Sequence, residues 1–349
     1  FGIQLLIDLL SARFVDKIGY RVSIVLAHIF AAVGLICLII LPDLFTDAFV
    51  GIFISVVLYA IGGGLIEVLI SPIVESCPSD NKEKAMSLLH SFYCWGSVGV
   101  VLLSTVFFKI FGIENWKIMA LIWAVIPVVN GMIFTKVPIA SLIEEGETGM
   151  TIKELCENKI FWILMLMMMC AGASELSVSQ WASTFAEQGL GISKTVGDLA
   201  GPMAFAVLMG SARTFYGKFG DRIDLDKFMI GSSILCILSY LCISLSPSAI
   251  MSLIGCSVCG FSVGIMWPGS FSKASTALHN GGTSLFALLA LAGDIGCSGG
   301  PTLVGFISGL ASDNLKKGIL AGVIFPVLLL VGILLLRKDF IRTQTSGKN

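Results

Sequence analysis

Apolar runs of about 20 residues, each closed by a charged or turn-forming cluster, repeat along the whole chain and set the period of a membrane-crossing helix. The runs are 1–14, Val22 to Leu41, Ala48 to Val74, Ala85 to Phe111, Trp116 to Phe134, Ile160 to Phe185, Val196 to Phe215, Phe228 to Ser246, Ala249 to Ser270, Ser284 to Ser308 and Gly318 to Leu336. Eleven helices are predicted, with Pro42, Pro138 and Pro247 marking the sharper ends. The polar positions between them alternate in character. Of the 22 Lys and Arg, all but Lys109, Lys117, Lys194, Lys316 and Lys317 fall in one set of loops. By the positive-inside rule that set is cytoplasmic, and the C-terminus lies with it.

The longest polar stretch, ASLIEEGETGMTIKELCENK from Ala140 to Lys159, lies on the cytoplasmic side and separates five predicted helices from six. The expected organisation is a half over residues 1–138, a cytoplasmic linker over 139–159, and a second half over 160–349 ending in a short cytoplasmic tail. The first half is shorter by the length of one helix and its loop, and the chain starts at Phe1 rather than Met. A six-plus-six protein whose first helix is missing from this chain is the expectation. An internal repeat agrees with it. ARFVDKIGYR (Ala12 to Arg21) and RTFYGKFGDR (Arg213 to Arg222) occupy matching places and share Lys17/Lys218, Gly19/Gly220 and Arg21/Arg222; Gly64 and Gly260 each stand eight residues before a proline, Pro72 and Pro268.

Composition narrows the function classes. With 56% hydrophobic residues, 13% charged residues and a mean hydropathy of +0.94, the chain lacks the polar surface of a soluble domain. A net charge of -1 offers no basic excess for nucleic acid. Most of the ten cysteines sit in apolar runs, and the C-x-x-C of Cys256 and Cys259 reads as packing inside a helix rather than a redox or metal motif. There is no H-E-x-x-H, G-x-S-x-G or Walker loop, so neither an intramembrane enzyme nor nucleotide-driven transport is expected, and no cofactor or metal is called for.

Asp16-Lys17-Ile18-Gly19-Tyr20-Arg21, at a cytoplasmic turn, resembles the G-x-x-x-D-R-x-G-R-R/K loop of the major facilitator superfamily, with Ala12, Lys17 and Tyr20 as departures. The resemblance implies an all-α polytopic fold of two pseudo-symmetric six-helix halves, of which eleven of twelve helices are present. It also implies alternating access without an enzymatic step. Asp16, Gly19, Arg21, Arg213, Gly220 and Arg222 are expected to act as gating loops, whose ion pairs form when the cytoplasmic side is closed.

Ionisable groups inside spans are costly and mark candidate sites. Glu67 lies deep in a glycine-rich run with Gly63 and Ser71 one turn away on either side. GGGLIEVLISP (Gly62 to Pro72) and SLLHSFYCWG (Ser87 to Gly96) together resemble the fucose/galactose/glucose:proton symporter family, with His90 standing where that family has Gln. The resemblance implies that Glu67 carries the proton and helps bind a sugar. His90 opens a polar face with Ser87, Cys94 and Ser97, as either a ligand or an interhelical hydrogen bond. Glu175, Gln180 and Trp181, in AGASELSVSQWA, offer a carboxylate, an amide and an indole face. Asp294 sits on a glycine-loaded run and Trp267 precedes Pro268; each is read as a cavity residue or a packing residue. The expected protein is a monomer in the plasma (inner) membrane. It would move a small polar solute, a monosaccharide by resemblance, with protons; the alternative is a proton-driven exporter of drugs or amphipathic compounds.

Overall fold

The computed structural model describes all residues except 1, 141, 143–148, 191–196, 198 and 347–349. The side chain of Asp16 also lies outside the described residues. Among those described all the regular structure is helical: α1 (Gly2–Ile18), α2 (Tyr20–Leu44), α3 (Ala48–Ser76), α4 (Lys82–Phe111), α5 (Trp116–Phe134), the short α6 (Ile152–Glu157), α7 (Lys159–Ser179), α8 (Ala182–Leu190), α9 (Ala204–Phe219), α10 (Leu225–Leu245), α11 (Ala249–Val263), α12 (Met266–Ala277), α13 (Gly282–Leu310), α14 (Leu315–Gly322) and α15 (Ile324–Ser346). Nine helical segments among the described residues are long and apolar enough to cross a membrane. With α1 and the segment that ends in α9 they account for the eleven predicted spans. The first span runs four residues past the predicted Phe14, to Ile18.

The helix ends follow side-chain chemistry. Asp47, Asn158 and Asp224 each accept a hydrogen bond from a backbone N–H of the first turn that follows, at 2.9 Å, using donors that the helix leaves without partners. Gly19 joins α1 to α2 with φ of 89°, a left-handed conformation that a side chain would oppose. Its repeat counterpart Gly220 has φ of -57° and starts a 3-10 turn, so the two repeated loops turn differently.

The chain forms two compact units. The first contains residues 1–78, 102–152 and 280–291, and the second contains 79–101, 153–279 and 292–349. In the first, α1, α2 and α3 bury Val15, Ile24, Ala27, Leu65 and Leu69 against one another. α5 exposes Ile118, Leu121, Ile122, Val125 and Ile126, a face whose only satisfactory solvent is lipid. In the second unit α7 is enclosed, with Phe161, Leu164, Met167, Met168 and Cys170 all at 1% exposure or less. Tyr240 is fully buried there and its hydroxyl donates to Ser174 O at 2.8 Å, so burial leaves this donor satisfied.

Pro268 explains the one interruption in the Ala249 to Ser270 run. A proline has no N–H for the carbonyl four residues earlier, and its ring crowds that carbonyl. The helix accordingly parts between Val263 and Met266, and the carbonyl of Gly264 is available to another partner.

Candidate functional site: two buried polar clusters

In the first unit Glu67 is half-buried on α3, and the amide of Gln4 on α1 donates to its Oε2. The two helices come together at Gly64, where a Cβ would lie 3.2 Å from Ile7. Asp8, one turn beyond Gln4, is fully buried, and Ser71, one turn beyond Glu67, is 1% exposed. Gly63 is exposed. A carboxyl and an amide inside a membrane helix pair, with a second carboxyl one turn away, form an arrangement able to hold a proton or a hydroxyl group.

The second cluster centres on Arg213. The sequence puts this residue near the end of the Val196 to Phe215 run and counts it with the cytoplasmic-loop cations; it lies within α9 and is 2% exposed. The correction has a simple cause. A charge near the end of an apolar run is counted with the loop, yet α9 continues past the predicted Phe215 to Phe219, and a buried guanidinium with partners can sit inside a helix. Its Nη2 donates to Glu175 Oε2 on α7 at 3.1 Å, its Nε to Gly264 O at 2.8 Å, and its Nη1 to His90 O at 3.0 Å and Cys94 Sγ at 3.3 Å on α4. The Gly264 carbonyl is the one released by Pro268. Glu175 is 7% exposed and His90 8%. The His90 ring stacks on Phe271 at 5.8 Å, and Phe271 meets Trp267 edge-on at 6.2 Å.

Trp267 is 8% exposed, hence not lipid-facing, and the tip of its indole lies against Gly293, next to Asp294. Asp294 is 2% exposed, and its Oδ2 has no hydrogen-bond partner among the described residues. Glu175, His90, Trp267 and Asp294 thus belong to the same unit, with the first three in one chain of contacts. Gln180 and Trp181 stand apart at the end of α7. Gln180 is exposed, and Trp181 Nε1 donates to Pro301 O at 3.3 Å.

The gating-loop residues separate. Arg21 Nη1 donates to Phe134 O and Thr135 O at 2.9 and 3.0 Å, meeting the last carbonyls of α5, where a cation is favoured. Gly220 is buried against Lys84, and Arg222 is exposed. The acidic partner at this turn is Asp221, which takes hydrogen bonds from Lys84 Nζ and from Asn81. The Lys84 hydrogen bond, more than the neighbouring charges, holds the Asp221 carboxyl below its ordinary value. A lowered folded-state value stabilises the folded state above the unfolded carboxyl range and is lost only as pH falls through that lower value, below about 4. Asp221→Asn is therefore expected to leave the pH dependence of transport unshifted between about pH 5 and 7, as uptake rates measured across that window will show.

Sequence reasoning missed Gln4, Lys84, Asp221 and the Gly264 carbonyl, and left Asp8 without an assigned role. An acidic residue in an apolar run is a visible signal, and Asp8 gave it. An amide, a surface ion pair and a backbone oxygen give none.

The chain belongs to the Major Facilitator Superfamily, whose family model matches residues 1–301. It is a multi-pass integral membrane protein and a transporter of that superfamily. Among solved structures, the fucose:proton symporter FucP of E. coli is similar with a TM-score of 0.81 at 12% identity, over 95% of this chain and 87% of that one. The proton:xylose symporter XylE, bound to 6-bromo-6-deoxy-D-glucose, gives 0.76 at 14%, over 95% and 82%. The human organic anion transporter MFSD10 gives 0.72 at 15%, over 96% and 81%. No curated protein matches the chain in sequence.

Proposed function

We propose that the protein is a proton-coupled symporter of a small polar solute, a monosaccharide or close relative, with Glu67 as the group that takes and releases the proton. The observation that carries this reading is the Glu67 carboxyl on α3, half-buried in a spanning helix and held by the Gln4 amide. Ser71 and the fully buried Asp8 stand one turn away along the same helices. A carboxyl there has an amide that can stay bonded to it in either protonation state, which suits a group that must change charge inside a membrane. The likeness in fold to two sugar:proton symporters agrees with this.

Trp267 and Asp294 from the second half, and His90 from the first, would line the solute path, with Gln180 and Trp181 at its rim. Trp267 would supply the flat apolar surface on which a sugar ring stacks. Trp267→Phe is then expected to raise the solute concentration for half-maximal uptake several-fold and to change the maximal rate little, read from uptake against concentration. The proposed organisation keeps two halves joined by the linker over 139–159, with the C-terminus cytoplasmic, in a monomer of the plasma (inner) membrane. The turns at Asp16, Gly19, Arg21, Gly220 and Arg222 would act on the cytoplasmic side. Counterflow exchange in proteoliposomes across a panel of hexoses, 6-deoxyhexoses and cationic dyes tests the solute class. Exchange of a sugar supports it, and exchange of dyes alone makes the protein an exporter of amphipathic compounds.

A further inference from the structure

Within the second unit, residues 82–101 of α4 run along α9 as a continuous seam. The backbones come close where α9 has no side chain: a Cβ at Gly210 would lie 3.0 Å from the Cys94 Cβ, and one at Gly217 would lie 3.2 Å from the Leu88 Cβ. Polar ties follow the same line. Ser87 Oγ donates to Arg213 O at 2.8 Å, Trp95 Nε1 to Thr214 Oγ1 at 3.0 Å, and Tyr216 to Glu83 Oε2 at 2.7 Å, while Lys84 and Asn81 hold Asp221. Arg213 reaches across the middle of the seam to His90 O and Cys94 Sγ.

Part of this geometry is repeated in the first unit, where Ser284 Oγ donates to Ala12 O at 2.9 Å. Ala12 is the repeat counterpart of Arg213, and Ser284-Leu285 parallels Ser87-Leu88. The serine-to-carbonyl bond occurs twice in the chain, but a buried charge stands at only one of the two positions. A feature added to one copy of a repeat calls for a reason beyond packing, because a buried ion pair holds a fold together less well than apolar side chains of the same size.

We propose that Arg213 latches this seam and that Glu175 sets the strength of the latch. The inference rests on the superfamily's alternating access and on the division at the central linker, which puts residues 79–101 in one half and α9 in the other; it does not depend on what the solute is. Glu175 and the Gly264 carbonyl, both in the half that carries Arg213, cradle the guanidinium and aim it at α4. The bonds to His90 O and Cys94 Sγ cross between the halves and break when that side of the carrier opens. Glu175 neutralises the guanidinium while the seam is closed and dry. Its role is thereby that of a positioning residue acting through Arg213, rather than of a solute ligand.

Cys94 is an internal reporter of this seam, since it is fully buried between Arg213 and Gly210. The test uses the full chain in proteoliposomes, alkylated with N-ethylmaleimide and read cysteine by cysteine by peptide mass spectrometry. Cys236, fully buried on α10, serves as the control for loss of fold. Glu175→Gln and Arg213→Gln are each expected to raise the Cys94 rate at least about tenfold with Cys236 unchanged, because the first leaves the guanidinium without the carboxylate that positions it and the second removes the bonds to His90 O and Cys94 Sγ. The double variant, which also lacks the latch, is expected to match Arg213→Gln alone, because Glu175 acts only through Arg213. Single variants that alkylate Cys94 at the parent rate overturn the latch, and a double variant whose effect is the sum of the two singles overturns the role of Glu175. If Cys236 also becomes reactive in the single variants, Arg213→Lys decides: a rise at Cys94 alone upholds the latch, and any other pattern overturns it. Absence of sugar transport would sink the symport reading and leave this thiol readout intact.

Discussion

Glu67→Gln is expected to abolish proton-driven accumulation of solute while exchange of solute across the same membrane continues. Gln occupies the volume of Glu and can still hydrogen-bond to the Gln4 amide, so the contact between α1 and α3 is kept. What is lost is the one property that the substitution cannot imitate, the ability to gain and release a proton. Exchange needs only the solute-loaded carrier to change its facing side, whereas net symport returns the carrier empty after the proton has left. The two assays therefore separate on a single atom. Should Glu67→Gln still concentrate solute against a gradient, the proton rides elsewhere, and the buried Asp294 carboxyl is the next group to change.

The second large effect is on stability. A Cβ at Gly296 would stand 1.9 Å from Met169 O and 2.9 Å from Ala173 N, both backbone atoms of α7, which leaves no flexible side chain to move aside. Overpacking costs about 1–3 kcal/mol where neighbours can adjust, and more where they cannot. α7 is itself enclosed, with Met167 pressed against Gly332 of α15, so it has little room to retreat. Gly296→Val is expected to lower the melting temperature sharply in detergent and to broaden the size-exclusion peak. Gly299, three residues on, is exposed and has nothing within 4 Å of its would-be Cβ. Gly299→Ala is expected to be neutral or to stabilise by up to about 1 kcal/mol, as an alanine does in a helix. Equal melting curves for the two variants would contradict the close packing of α7 on α13.

The spans were legible because each must be apolar for about 20 residues, and that constraint is written in every residue of the run. Arg213 shows the limit of the same logic. A charge near the end of an apolar run reads as a loop residue, unless the groups that satisfy the charge are known; here they come from α7, α4 and the break at Gly264, far apart in sequence. Pro268 was visible as a helix breaker, and the position four residues before it could have been named as a free carbonyl. The group that takes that carbonyl could not have been. Gln4 was passed over for a different reason. Amides are common enough in spans that one alone stands out only when the carboxyl facing it is seen.

The central claim is that a polar solute and a proton cross together through the cluster at Glu67. The measurement that addresses it most directly is the pH outside proteoliposomes holding the protein, followed as a hexose or 6-deoxyhexose is added at zero membrane potential. External alkalinisation that follows sugar addition, and that disappears in Glu67→Gln, is the predicted result. Sugar entry with no change of pH, or proton movement driven by cationic dyes and not by any sugar, would contradict it.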